Sequence, residues 1–170
     1  IAQGIVPKAH AFGIKTIAAD PYVSDEVFTR LDVERVDFDQ LLEQADFISI
    51  HTPLTEETTN LFGQEAFRQM KPEALLINTA RGPLVDIDAL ANALEAGEIA
   101  GAALDVLPKE PPPDDCPLFG RDDVILTPHT GFYSADALLD LQTTVATDVA
   151  SVLNGESPRF PVNPEVRDLK

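Results

Sequence analysis

Two side chains of this sequence, Arg81 and His129, are of types that together bind a carboxylate and transfer a proton. A guanidinium holds a carboxylate through two parallel hydrogen bonds and polarises an adjacent carbonyl. An imidazole exchanges a proton near neutral pH. Such a pair suits acid–base catalysis on a small substrate that carries a carboxylate. Each residue also has a plain interpretation: Arg81 as a surface arginine in a Gly-Pro turn, and His129 as a structural histidine after a proline.

Asp20 is a candidate ribose ligand, because it directly follows an apolar segment at 14–19. In doubly wound α/β folds, an acidic residue at the end of the second strand binds the adenosine ribose about 20 residues after a glycine-rich phosphate turn. A carboxylate there repels a 2′-phosphate, which predicts NAD and not NADP. Ile1 and Ala2 would be the last two positions of that turn, so we expect the sequence to begin just inside it. A turn former before Pro21 is the open alternative for Asp20.

Helical and apolar segments alternate along the chain, and they must position these candidates. Periodicity predicts helices over 1–12, 38–44, 64–70, 86–96 and 134–153. Short apolar segments predict strands over 14–19, 47–50, 74–78, 100–105 and 124–126. Apolar strands separated by amphipathic helices indicate a parallel sheet covered on both faces. The predicted fold class is α/β, a Rossmann-type doubly wound parallel sheet, N-terminally truncated, with a C-terminal helix and an extended tail.

A proline-rich segment and a long final helix follow this alternation. Five prolines between residues 107 and 117 predict a loop, because proline continues neither a helix nor a central strand. Ser134 is the predicted N-cap of the last helix, and Asn154-Gly155 predicts its end. We therefore expect a dinucleotide-binding domain over 1–132 and a helix with a tail over 133–170, of which 157–170 is extended.

The composition excludes several classes of function. A net charge of −17, from 12 basic and 29 acidic residues, argues against a surface that follows nucleic-acid phosphates. Backbone N–H groups at a helix N-terminus still bind a phosphate, so a dinucleotide is compatible with this charge. No apolar segment approaches the roughly 20 residues of a membrane helix, and no secretory signal is visible. The single cysteine, Cys116, is interpreted as a spare loop thiol, which favours the cytoplasm, and no spacing indicates a metal site.

Four segments in fixed order carry a family resemblance. They are HTPLTEETTN at 51–60, NTARGPLVD at 78–86, GAALDVLPKEPP at 101–112 and TPHTGFYS at 127–134. Together they strongly resemble the D-isomer-specific 2-hydroxyacid dehydrogenases, over nearly the whole chain. PHTGFYS followed by a long helix is most similar to the branch of the C-terminal-binding proteins and their bacterial relatives, where Trp is common at the position of Phe132.

The resemblance implies a role for Glu110, which by itself is one charge in a proline-rich loop. A carboxylate that pairs with the catalytic imidazole would orient His129 and favour its charged form. The implied catalytic residues are thus Arg81, Glu110 and His129. The implied cofactor contacts are Ile1 at the phosphate turn, Asp20 at the ribose, Thr52 and Pro53 near the adenosine, Thr79, Ala80 and Arg81, Asp105 facing the nicotinamide carboxamide, and His129 and Gly131 on the nicotinamide side.

Several of these residues have plain alternatives that stay open. Thr52-Pro53 is also typical of a turn, Asp105 of a strand-end cap and Gly131 of a hinge before the last helix. His10 and His51 are interpreted as structural, because neither has an obvious acidic partner and polar histidines are often merely hydrogen-bonded.

The implied activity is the reversible reduction of a 2-oxo acid to a D-2-hydroxy acid with NADH. The alternatives are an NAD-sensing corepressor-like binding module, as in the C-terminal-binding-protein branch, and an inactive fragment of a dehydrogenase. Members of the family carry a substrate domain before the nucleotide domain, so we expect that domain outside this sequence and the fragment to be inactive alone. We also expect a cytoplasmic homodimer that binds a small 2-oxo or 2-hydroxy acid and neither nucleic acid nor membrane.

Overall fold

A computed structural model of the chain describes residues 1–163, in two compact units. The first unit is Ile1–His129, and the second begins at Thr130. The sequence places the end of the first domain at residue 132, and the assignment of domains stays a prediction. Residues 164–170 of the expected tail lie outside the described residues.

The first unit alternates helices with short parallel strands. Its helices are α1 (Ala2–Ala11), α2 (Asp25–Leu31), α3 (Phe38–Gln44), α4 (Gln64–Gln69) and α5 (Ile87–Ala96). Its strands are β1 (Ile17–Ala18), β2 (Glu34–Arg35), β3 (Phe47–Ile50), β4 (Leu75–Asn78), β5 (Gly101–Leu104) and β6 (Val124–Leu126). β1 and β2 form a parallel pair, and the other four strands form a parallel sheet in the order β3-β4-β5-β6. Parallel strands with flanking helices confirm the predicted Rossmann-like α/β class.

Two elements of this unit, α2 and β2, are not predicted by hydrophobic periodicity. Helix α2 begins with Asp25 and Glu26, acidic residues that a helix N-terminus favours. Strand β2 is an exposed Glu-Arg pair and has no apolar character to mark it. It forms because Glu34 N–H donates to the Thr16 carbonyl and Val36 N–H to that of Ala18. The predicted strand at 14–19 contracts to the two residues of β1.

Local capping explains where α3 and α5 begin and where α5 ends. Asp37 accepts from the Gln40 N–H at 2.8 Å, and the Gln40 side chain accepts from the Asp37 N–H at 3.2 Å, a complete capping box for α3. Asp86 caps α5 by accepting from the Ala89 N–H at 3.0 Å. Gly97 ends α5 with a φ of 68°, in the left-handed region that glycine adopts without steric cost.

One apolar core packs the four-stranded sheet against α3, α4 and α5. Its fully buried side chains include Leu42, Phe67, Leu76, Leu90 and Leu104. The expectation of a sheet covered on both faces is wrong at the outer strands, because Phe47 of β3 and Ile125 of β6 are 63% and 67% exposed.

The proline-rich loop is anchored to this core. Cys116 and Leu118 are both buried in the core cluster. Cys116 is a free thiol in this loop, as predicted, and its buried side chain also packs as a small apolar group. Its burial holds the far end of the loop against the sheet.

The second unit consists mainly of α6 (Ala135–Leu153). Ser134 is its N-cap, as predicted, and its hydroxyl accepts from the Ala137 N–H at 3.1 Å. After the helix, Arg159 Nε donates to Asp148 at 2.8 Å and holds the following segment against α6. Within residues 1–163, no helix combines the length and the apolar character that crossing a bilayer requires.

Replacing Phe67 by alanine tests the assigned core. Phe67 is fully buried in α4, so Phe67→Ala is expected to lower the free energy of unfolding by about 3–5 kcal/mol, measured by urea denaturation. Phe12 is 85% exposed, and Phe12→Ala is the matched control, with an expected change within about 0.5 kcal/mol. Equal losses in the two variants would contradict the placement of the core.

Candidate active site

The candidate residues of the first unit follow the carboxyl ends of its parallel strands. In the four-stranded sheet those ends lie at one edge, which is where open α/β sheets bind ligands. The positions are Asp20 after β1, Thr52 and Pro53 after β3, Thr79, Ala80 and Arg81 after β4, Asp105 after β5, and His129 after β6. Only Ile1 stands elsewhere, as the N-cap of α1.

Glu110 and His129 are in direct contact. His129 Nδ1 and Glu110 Oε2 are 2.7 Å apart, a hydrogen bond between residues 19 positions apart in the chain. The other carboxylate oxygen, Oε1, accepts from the Leu107 N–H at 3.0 Å. Both carboxylate oxygens of Glu110 are thus hydrogen-bonded. The Leu107 N–H, in the same loop, orients the carboxylate that contacts the imidazole ring.

The electrostatics of this pair favour a charged Glu110. The hydrogen bond with His129 holds the pKa of Glu110 below its ordinary value, and the Leu107 N–H acts in the same direction. Partial desolvation and the nearby Asp105 carboxylate act against this and raise the pKa, but they are the smaller effects. At neutral pH, Glu110 is an anionic acceptor beside the imidazole.

The backbone of His129 is held in a strained conformation. Its φ of 54° lies in the left-handed region, which a residue with a Cβ adopts at a cost of about 1–3 kcal/mol. The His129 N–H donates to the Asp105 carbonyl at 2.9 Å and to the Thr127 carbonyl at 3.0 Å. The second bond closes a three-residue turn centred on Pro128, whose ring restricts φ to the range such a turn uses. These contacts stabilise the strained conformation and direct the imidazole towards Glu110.

Among residues 1–163, Asp105 is the one buried side chain of a charged type, with 7% of its surface exposed. Its Oδ1 accepts from the Thr127 hydroxyl at 2.6 Å, and its N–H donates to the Asn78 carbonyl at 2.9 Å. Asp105 therefore lies at the junction of β4, β5 and β6. This position is compatible with the strand-end cap and with the predicted contact to a carboxamide.

Asn78 organises the loop that carries Arg81, and sequence reasoning missed it. Its side chain is fully buried. Oδ1 accepts from the Ala80 N–H at 3.0 Å, and Nδ2 donates to the Arg81 carbonyl at 2.9 Å. Arg81 itself is exposed, and its Nη1 donates to the Ala80 carbonyl at 2.6 Å. The signal was present, because Asn at a strand end commonly closes a turn through its side chain.

Gly82 brings the loop after β4 against the loop after β5. A Cβ built on Gly82 would lie 2.0 Å from the Leu107 carbonyl carbon and 2.4 Å from Pro108 N. Only glycine permits this backbone contact. It fixes the segment next to Arg81 against Leu107, whose N–H in turn holds Glu110. The two loops that carry the candidate anchor and the carboxylate are thus one packed unit.

The remaining cofactor candidates are less closely connected. Asp20 Oδ1 accepts from the Tyr22 N–H at 2.9 Å, so Asp20 forms the turn of the alternative interpretation, and its ribose role stays a prediction. The Pro53 carbonyl accepts from the Thr58 hydroxyl at 2.8 Å, which shapes the loop after Thr52. Thr79 is exposed beside Ala80. Gly131 belongs to the second unit and is likewise exposed.

The other two histidines have neutral hydrogen-bond partners. His10 Nε2 lies 2.8 Å from the Thr16 hydroxyl, and His51 Nε2 lies 3.0 Å from that of Ser49. Burial lowers the pKa of His51, which favours its neutral form. Both contacts support a structural interpretation.

The side chains that follow the strands are of types that fit a dinucleotide. Asp20, after β1 of the two-stranded pair, is a carboxylate, the group that binds a ribose diol. After the strands of the four-stranded sheet, Asp105 is an acceptor of the kind that an amide needs, and Thr52 and Thr79 carry hydroxyls. Helix α1 has no acidic side chain in its first turn, so nothing there repels a phosphate from its N-terminal N–H groups.

Comparison with known proteins identifies relatives of this domain. Residues 1–131 match the family model of the D-isomer specific 2-hydroxyacid dehydrogenase, NAD binding domain. The chain is 44% identical to D-3-phosphoglycerate dehydrogenase of Methanocaldococcus jannaschii, over 96% of this chain and 31% of that protein. It is 40% identical to glyoxylate reductase of Korarchaeum cryptofilum, over 98% of this chain and 50% of that protein.

A solved structure gives the same result. D-lactate dehydrogenase with NAD⁺ from Lactobacillus jensenii matches with a TM-score of 0.84 and 36% identity, over 94% of this chain and 52% of that one. The chain thus spans about half the length of these relatives or less. The narrower resemblance to the C-terminal-binding-protein branch stays a prediction.

The pairing of Glu110 with His129 predicts a measurable titration. A carbon-detected NMR titration of the Glu110 carboxyl should give a midpoint below its ordinary pKa of 4.5, and His129→Ala should raise the midpoint towards that value. Because the folded-state pKa is lowered, the contribution of Glu110 to stability is present at neutral pH and is lost as the pH falls through that midpoint. A midpoint that does not move in His129→Ala would contradict the pairing.

The close contact at Gly82 predicts that a single methyl group disrupts the site. Gly82→Ala is expected to lower the free energy of unfolding by about 3 kcal/mol or more, because the new Cβ meets backbone atoms that cannot move independently. Gly4→Ala is the control, since a Cβ at this helical position meets nothing within 4 Å, and the substitution should stabilise by about 0.5–1 kcal/mol. Denaturation curves of both variants measure the difference, and a Gly82→Ala variant as stable as wild type would contradict the packing.

Proposed function

Because the chain belongs to the D-isomer-specific 2-hydroxyacid dehydrogenases and carries their NAD-binding domain, we propose that the protein interconverts 2-oxo acids and D-2-hydroxy acids. The observation that carries this proposal is the 2.7 Å contact between His129 and Glu110 at the carboxyl edge of the sheet. A charged carboxylate that orients an imidazole is the arrangement used for proton transfer.

Each residue of the proposed catalytic group has one task. Bound NADH supplies the hydride. Arg81, in the loop after β4, holds the substrate carboxylate through its guanidinium and polarises the adjacent carbonyl. Since His129 Nδ1 pairs with Glu110, proton exchange with the substrate oxygen falls to Nε2. Glu110 orients the imidazole ring, and His129 donates a proton during reduction and accepts one during oxidation.

We assign the cofactor contacts by position along the strand ends. The α1 N-terminus at Ile1 receives the phosphates and Asp20 the adenosine ribose. The remaining contacts within the first unit are Thr52 and Pro53 near the adenosine, Thr79, Ala80 and Arg81 along the edge, and Asp105 and His129 at the nicotinamide. The role of Gly131, which belongs to the second unit, rests on the sequence motif alone. A carboxylate at position 20 is the reason for NAD in place of NADP, since it repels a 2′-phosphate.

The substrate class follows from the proposed anchor. Arg81 binds a carboxylate, and the names of the relatives refer to phosphoglycerate, glyoxylate and lactate, all small acids. This supports a small 2-oxo or 2-hydroxy acid as ligand. A cytoplasmic homodimer without nucleic-acid or membrane partners stays a prediction.

Turnover in the full-length product of the gene tests the proposal. NADH oxidation at 340 nm is measured with glyoxylate, pyruvate and hydroxypyruvate, and His129→Ala is expected to lower kcat by about 10²–10⁴-fold. His10→Ala is the matched control, because the hydrogen bond described for His10 is with Thr16 and not with a candidate catalytic residue. This variant should retain wild-type turnover.

Two outcomes would overturn the proposal. Unchanged turnover in His129→Ala would remove His129 from proton transfer. A wild-type protein that binds NADH and reduces none of the acids would favour the corepressor-like binding module.

A further inference from the structure

The hydroxyl of Thr127 makes a contact in addition to the backbone ladder of the sheet. The Thr127 N–H already donates to the Leu104 carbonyl at 3.0 Å, which continues the parallel ladder between β5 and β6. The hydroxyl adds a bond to the Asp105 carboxylate, at 2.6 Å. The backbone bond thus aligns the strands, and the side-chain bond acts on the orientation of a carboxylate.

The two partners differ in burial. Asp105 is nearly buried, whereas Thr127 is exposed at the strand edge. A buried carboxylate is an acceptor only, and it needs donors that remain in place. Because a hydrogen bond to a charged group is stronger than a neutral one, the Thr127 hydroxyl restricts the rotation of the Asp105 side chain.

His129 is positioned independently of this hydroxyl. Its imidazole is held by Glu110, and its N–H is held by the carbonyls of Asp105 and Thr127. Loss of the Thr127 hydroxyl leaves all three of these bonds in place. None of these three bonds involves the Thr127 hydroxyl, so its loss acts directly on the carboxylate of Asp105.

We propose that Thr127 is a positioning residue for the nicotinamide half of NAD, acting through Asp105. Its hydroxyl fixes the Asp105 carboxylate at the angle at which that carboxylate accepts a hydrogen bond from the carboxamide NH₂. This inference rests on the part of the proposed function that assigns Asp105 to the carboxamide. It does not depend on which acid is reduced, nor on the role of His129 in proton transfer.

The test compares two ligands that differ in the nicotinamide. Isothermal titration of the full-length product measures the Kd of NAD⁺ and of ADP-ribose, which lacks the nicotinamide ring. Thr127→Val removes the hydroxyl and keeps the branched shape, and it is expected to raise the Kd of NAD⁺ about tenfold. The Kd of ADP-ribose should stay within about twofold, because the adenosine side of the site is untouched.

Two further variants separate the hydroxyl from general effects. Thr127→Ser keeps the hydroxyl and should restore the wild-type Kd of NAD⁺. Thr147→Val makes the same substitution at an α6 residue whose hydroxyl bonds only the Thr143 carbonyl among the contacts described, and it should change neither Kd.

Several results would overturn the inference. Equal weakening of both ligands in Thr127→Val would assign Thr127 a structural role. A loss in Thr127→Ser equal to that in Thr127→Val would show that the hydroxyl does not account for the effect. A wild-type protein that binds NAD⁺ no better than ADP-ribose, or binds neither, would also refute it. Failure of the proposed reaction is seen separately, as an absence of turnover with normal NAD⁺ binding.

Discussion

The parallel register of β4, β5 and β6 is the constraint on which the candidate site depends. Asn78, Leu104 and Leu126 are neighbours across the three strands. The chain therefore leaves the sheet at one edge three times, and each exit carries a candidate residue: Arg81, Asp105 and His129. A slip of one residue in this register would turn the side chains to opposite faces and separate them.

Buried polar groups, and not surface charge, make this edge rigid. Among the described residues, the buried polar side chains are Asn78 and Asp105, and both lie at strand ends of the site. The Asn78 side chain accepts a hydrogen bond from the Ala80 N–H and donates one to the Arg81 carbonyl. The Asp105 carboxylate accepts one from the Thr127 hydroxyl. A fully hydrogen-bonded buried polar group restricts its neighbours more than an exposed ion pair does. This arrangement suits an acidic chain, because it holds the loops without additional positive charge.

Local signals explain how much of the fold was predictable. The helix at 38–44 and the strands at 47–50 and 124–126 have the predicted bounds, because a capping residue or a compact apolar segment marks each. The pair Glu34-Arg35 carries no such signal, and it becomes β2 only through backbone bonds to the segment around β1. Likewise, Cys116 is buried because the proline-rich loop that contains it packs against the core.

The sequence by itself determined the α/β alternation, the family and the chemical types of the candidate residues, since these follow from local periodicity and short motifs. Only the tertiary structure decided which of those residues touch. Glu110 meets His129 across 19 positions, and Thr127 meets Asp105 across 22. The contact of Gly82 with Leu107 likewise joins the loops that follow two separate strands. Such contacts depend on strand order and register, which are set by packing of the whole core and leave no pattern in a short segment.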